Sequence, residues 1–88
     1  MKYHWDPGKN AANRAKHGLN FGDAAGFGWG TALVTRDGRV DYGEPRFKAL
    51  GFIADRLCVM IFTERGDAVR IISLRRANAR ERKTYGQA

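Results

Sequence analysis

Residues 56 to 63, Arg-Leu-Cys-Val-Met-Ile-Phe-Thr, contain the most apolar run in the chain, and the rest must be arranged around it. The run is continuous rather than alternating. That pattern predicts a central strand covered on both faces. Cys58, the only cysteine, lies inside it and reads as a small core residue rather than a nucleophile. No apolar stretch reaches the ~20 residues of a membrane span, and the N-terminus has no signal-peptide core. The expected location is the reducing cytoplasm, with no membrane partner. A chain of 88 residues makes one small domain, residues 1–88. Such a domain buries a modest fraction of its surface and leans on a partner or a second copy.

The elements on either side follow from turn and cap signals. Tyr3-His4-Trp5 reads as a short strand. Asp6-Pro7 starts a helix that runs to about His17, with Gly18 as its stop. Its apolar face is thin: Ala11, Ala12 and Ala15. Lys9, Asn10, Asn13, Arg14 and Lys16 then face solvent or a ligand. Asn20 and Asp23 resemble a second cap, for a short helix over Phe21 to Phe27. Gly26, Gly28 and Gly30 break that helix. Strands are expected at 31–35, 47–53, 56–63 and 68–74, with turns at Asp37-Gly38, Ala54-Asp55 and residues 64–67 and an irregular stretch over 39–45. Asn78 and Glu81 cap a last helix. The order predicts an α+β fold, a small antiparallel sheet with two N-terminal helices and a C-terminal helix.

Charge narrows the function. Sixteen Lys and Arg against nine Asp and Glu give a net charge of +7. That favours a polyanion, or an acidic protein, as partner. Metal chemistry finds no support, because His4 and His17 belong to no ligand spacing. No Gly-rich phosphate loop is present, and no cofactor is expected.

The basic residues concentrate where the last strand meets the last helix. Ser73, Arg75 and Arg76 sit at that junction, and Arg80, Glu81, Arg82, Lys83 and Tyr85 come after it. A strand end is rigid, and guanidinium groups fork onto phosphate oxygens. RNA cleavage is within reach of such a set. The ribose 2′-OH attacks the neighbouring phosphate once it loses a proton, cations hold the developing charge, and the leaving 5′ oxygen takes a proton. Arg suits the phosphate role but stays protonated. The proton-transfer candidates are His17, Glu44, Glu81, Lys16 and Tyr85, and pattern alone does not choose among them. A solvated, non-catalytic basic helix gives the same pattern.

Several short motifs occur together: Tyr3-His4-Trp5-Asp6; Lys9; Asn13 with Lys16-His17-Gly18; Phe21 and Ala24; Gly43-Glu44 with Arg46; Gly51; Thr63-Glu64-Arg65-Gly66; Arg70-Ile71-Ile72-Ser73 with Arg75 and Ala77; Glu81-Arg82 and Tyr85. In this order the chain resembles the BrnT family of bacterial type II toxins. The resemblance implies a RelE/ParE-like fold and metal-independent RNA cleavage that arrests translation. It also implies a BrnA-like antitoxin with a DNA-binding domain, in an assembly of two toxins and two antitoxins on operator DNA. The family motifs map onto these positions, and on our own reading of them Arg46, Arg70 and Arg75 bind phosphate while His17 or Glu81 handles a proton. Lys16, Glu44, Ser73, Arg76, Arg82 and Tyr85 complete the RNA-binding set, with Tyr85 positioning a base or the last helix. The alternative is a degenerate toxin that binds nucleic acid or antitoxin without cleaving. A third reading, ranked below these, has the chain poison a protein target.

Overall fold

The structure, a computed structural model, describes residues 1–38 and 43–87. The first part of the stretch expected to be irregular, residues 39–42, lies outside the described residues. Strand β1 (Lys2–His4) leads into helix α1 (Pro7–His17). Two 3₁₀ segments come next, Phe21–Gly26 and Trp29–Thr31. Then come β2 (Leu33–Asp37), β3 (Arg46–Ile53), β4 (Arg56–Arg65), β5 (Ala68–Arg76) and helix α2 (Ala79–Gly86). No described helix is long and apolar enough to cross a membrane.

The five strands form one sheet in the order β1-β5-β4-β3-β2. From β2 to β5 neighbours pair antiparallel, as their short connections require. β1 pairs with β5 in parallel, Lys2 opposite Ala68 and His4 opposite Arg70. The sheet is therefore mixed, and the expected antiparallel sheet is corrected. No tight turn links β1 to its neighbour. A parallel partner needs a long crossover, and here residues 5–67 supply it.

The second N-terminal helix is corrected too. Asn20 and Asp23 do form a reciprocal capping box, but the cap opens a six-residue 3₁₀ segment. Gly22 and Gly26 within so short a stretch do not sustain an α-helix. Among the described residues, only α1 is an α-helix in the N-terminal half. Its start is as expected, with Asp6 accepting from the Lys9 N–H at 2.9 Å and Pro7 in the first turn. Gly18 ends it at φ 74°, in the left-handed region.

The buried face of α1 reverses the expectation. Ala11, Ala12 and Ala15 are exposed, and Asn13 is buried. β1 stops at His4, so among the described residues no strand lies beside the outer edge of β5 beyond Arg70. Asn13 takes that place. Its Oδ1 accepts from the Leu74 N–H at 3.1 Å, and its Nδ2 donates to the Leu74 carbonyl at 2.8 Å and the Leu19 carbonyl at 3.0 Å. One turn earlier, Asn10 Oδ1 accepts from the Phe21 N–H at 2.9 Å. These two amides of α1 satisfy backbone groups that would otherwise be orphaned.

Strand β4 is covered on both faces, as its composition demands. Cys58, Met60 and Phe62 pack with Phe21, Ala24, Phe27, Ala49, Ile71 and Leu74. On the other face Val59 packs with Leu50 and Ala77, flanked by Leu57, Ile61 and Tyr85. The first layer allows little slack at Gly51. A Cβ there would sit 2.7 Å from the Phe27 ring.

Candidate active site

Cross-strand register builds the floor of the site. Thr35 faces Lys48, Lys48 faces Ile61, and Ile61 faces Ser73. The next row on the same face runs Leu33, Leu50, Val59 and Arg75. Helix α2 covers part of this face.

Strand β5 reaches these rows through a bulge. Ile61 pairs with Ser73, yet Phe62 pairs with Ile71, so Ile72 is an extra residue in the ladder. Strict alternation would place Arg70 and Arg75 on opposite faces, because they are five residues apart. The extra residue brings Arg70, Ser73 and Arg75 to one face and leaves Ile71 and Leu74 in the core on the other.

Beside Ser73 and Arg75, the C-terminus of α1 contributes Lys16 and His17. These four residues line an open cavity of about 440 Å³ together with Thr35, Arg36, Asp37, Gly38, Lys48 and Ile61. Burial is the main effect lowering the His17 pKa below its ordinary 6.5, and the charges of Lys16 and then Arg75 add to it. These effects all favour the neutral, proton-accepting form of His17.

Glu81 organises the cations. Its side chain is only 9% exposed. Arg75 Nη1 and Nη2 donate to its two oxygens at 2.7 and 2.8 Å, a bidentate fork. Lys48 Nζ donates to Oε2 at 2.8 Å. The Asn78 N–H donates to Oε1 at 2.9 Å, and Asn78 Oδ1 accepts from the Glu81 N–H at 2.8 Å, closing the expected capping box. The Arg75 hydrogen bonds first, then those from Lys48 and Asn78, outweigh burial and hold this carboxyl well below the usual carboxylate range. A carboxylate so strongly committed to its charged form is a poor proton shuttle. It fixes two cations instead.

This arrangement has a pH consequence. The folded-state pKa of Glu81 lies below its ordinary 4.5, so its stabilising effect is full above that value and is lost as pH falls through the folded one. Glu81→Gln should flatten the acid limb of the unfolding free energy below that pH, as read by urea titration at a series of pH values. Parallel acid limbs in both proteins would contradict the assignment.

The other expected residues fall outside the cavity. Arg46 alternates with Lys48 on β3, and Arg70 pairs with Thr63, so both lie on the same sheet face one row away. Arg76 follows Arg75 in the strand and projects to the opposite face. Glu44 pairs with Arg65 at 3.2 Å. Arg82 donates to the Ala77 carbonyl at 2.9 Å. Tyr85 donates to the Thr31 carbonyl at 2.9 Å and meets the Phe52 ring edge-on, which ties α2 to the second 3₁₀ segment. Lys48, Thr35 and Arg36 were missed by sequence reasoning. A signal was present in Lys48, a lone cation within the apolar run of β3.

A sequence model of BrnT, the ribonuclease toxin of type II toxin–antitoxin systems, matches residues 5–81. Comparison with curated proteins gives no match. The matched span begins at Trp5 and ends at Glu81, so it takes in every residue lining the cavity. On that match, the chain belongs to the BrnT family, the ribonuclease toxins of type II toxin–antitoxin systems.

Proposed function

We propose that the cavity cleaves RNA by internal attack of a ribose 2′-OH, without a metal. Neutral His17 takes the 2′ proton, and the 2′ oxygen bonds to phosphorus as the bond to the 5′ oxygen breaks. Lys16, beside His17, protonates the leaving oxygen. Arg75 and Lys48 hold the charge that builds on the phosphate, and Glu81 keeps both in place. The products are a 2′,3′-cyclic phosphate and a 5′-hydroxyl. Arg46 and Arg70, one row away, reach neighbouring phosphates of a longer strand. The observation that carries this reading is His17 sharing one cavity with Lys16, Lys48 and Arg75, the last two clamped by a buried carboxylate.

A type II toxin has a protein antitoxin as its partner. We extend this to a BrnA-like antitoxin with a DNA-binding domain, in a 2:2 assembly on operator DNA. In the cytoplasm, RNA cleavage by the unbound toxin arrests translation.

The test is cleavage of labelled RNA by purified protein in excess EDTA, with Arg75→Ala alongside. Fragments with 2′,3′-cyclic ends are expected from the wild type. The variant should be slower by about 10²–10³-fold, the range for losing one donor to a developing oxyanion. Intact RNA from a folded wild-type protein favours the binding-module reading.

A further inference from the structure

Beside the cavity, and sharing Thr35 and Lys48 with it, lies a second and smaller pocket of about 190 Å³. Its floor is apolar, made by Leu33 and Leu50, which face each other across β2 and β3. Its wall is α2, through Arg80, Glu81 and Thr84. The floor is one same-face row from Thr35 and Lys48, a step of roughly 7 Å along the strands. A polar, cationic cavity and an apolar slot thus open side by side on one face.

We propose that this slot receives a nucleobase next to the scissile phosphate and sets the cleavage preference. The inference rests on the reading of the larger cavity as a phosphate site. A nucleotide has the matching division: a charged phosphate, a sugar that spans the gap, and a flat, largely apolar base with polar edges. Leu33 and Leu50 offer the base an apolar surface. Arg80, exposed at the mouth, has a planar guanidinium that stacks on bases. Thr35 presents a hydroxyl to the base edge, whereas the Thr84 hydroxyl donates to the Arg80 carbonyl at 3.1 Å and keeps only its lone pairs for a ligand. Glu81 does not read the base, because Arg75, Lys48 and the Asn78 N–H occupy its oxygens. The slot is mostly apolar with few polar groups, the usual make-up of a small-ligand site.

The test uses 2′-fluoro tetranucleotides, which lack the attacking hydroxyl and stay intact. Affinities are measured by fluorescence anisotropy for a parent oligonucleotide and for versions abasic at each position in turn. In the wild type, loss of one particular base should weaken binding about tenfold, the low end of what a stacked base contributes. Leu33→Trp fills the slot, and Arg80→Ala removes its lid from an exposed position where folding is not at stake. Either change should cut the abasic penalty below twofold; Leu33→Trp should leave the affinity of the abasic version unchanged, and Arg80→Ala should lower it only by the sequence-independent loss of one positive charge. Equal binding of parent and abasic versions at every position overturns the slot, as does a penalty that survives both substitutions or a wild type that binds none of them. A wild type that shows the abasic penalty yet leaves ordinary RNA uncut keeps the slot and removes the proposed cleavage.

Discussion

Replacing Asn13 with alanine is expected to destabilise the protein by about 3 kcal/mol, because three backbone groups lose their partner at once. The Leu74 N–H and carbonyl sit on the outer edge of β5, past the end of β1, and the Leu19 carbonyl closes the loop after α1. Each unsatisfied buried group costs about 1–3 kcal/mol, and some water entry at the edge moderates the total. A small domain has only about 5–15 kcal/mol to lose. The melting temperature should fall by roughly 15 °C at this chain length. Urea unfolding measures the effect directly, with Ala12→Ser on the exposed side of α1 as the control, expected within about 0.5 kcal/mol. A loss below about 1 kcal/mol for Asn13→Ala would mean that water replaces the amide easily and that α1 is held by other contacts.

The largest effect on activity is expected at His17. His17→Gln keeps a polar side chain of similar reach but removes the proton acceptor, and cleavage should fall by about 10²–10⁴-fold. The pH profile identifies the role. A general base works in its neutral form, so the wild-type rate should rise with pH through an inflection below 6.5, since burial and two nearby cations lower the His17 pKa. Lys16→Met removes one of those cations. The inflection should then move up towards 6.5, whatever happens to the maximal rate. A histidine that only supports the fold leaves the inflection where it was, and that result would return the proton to another group.

Much of the sheet was legible because its signals are local. Turn residues and a continuous apolar run located β3, β4 and β5 to within a few residues, and Asn78 with Glu81 marked the start of α2. Two things were not local. The pairing of β1 with β5 joins positions 2–4 to positions 68–70, and a three-residue strand has no pattern that names its neighbour. Asn13 looked like a solvent-facing polar residue because the strand edge it completes lies 61 positions away. The site was read in the same uneven way. His17, Ser73, Arg75 and Glu81 were picked from motifs, and the structure brings the first three into one cavity with the fourth clamped behind. Arg76 and Arg70 illustrate the limit. Their faces depend on strand alternation and on the extra residue at Ile72, and neither shows in composition.

The parallel pairing of β1 with β5 also orders events during synthesis. Lys2 and Ala68 are partners, as are Asn13 and Leu74. A growing chain carries His17 out of the ribosome well before the strand bearing Arg75 and the helix bearing Glu81. Until those two elements have emerged, Asn13 of α1 lacks the Leu74 backbone, and Lys48 lacks the Glu81 carboxylate. Contacts so distant in sequence form slowly compared with hairpins, because a long loop must close before any contact compensates it. The cavity therefore closes only after residues 70–81 have been made and have folded back onto α1.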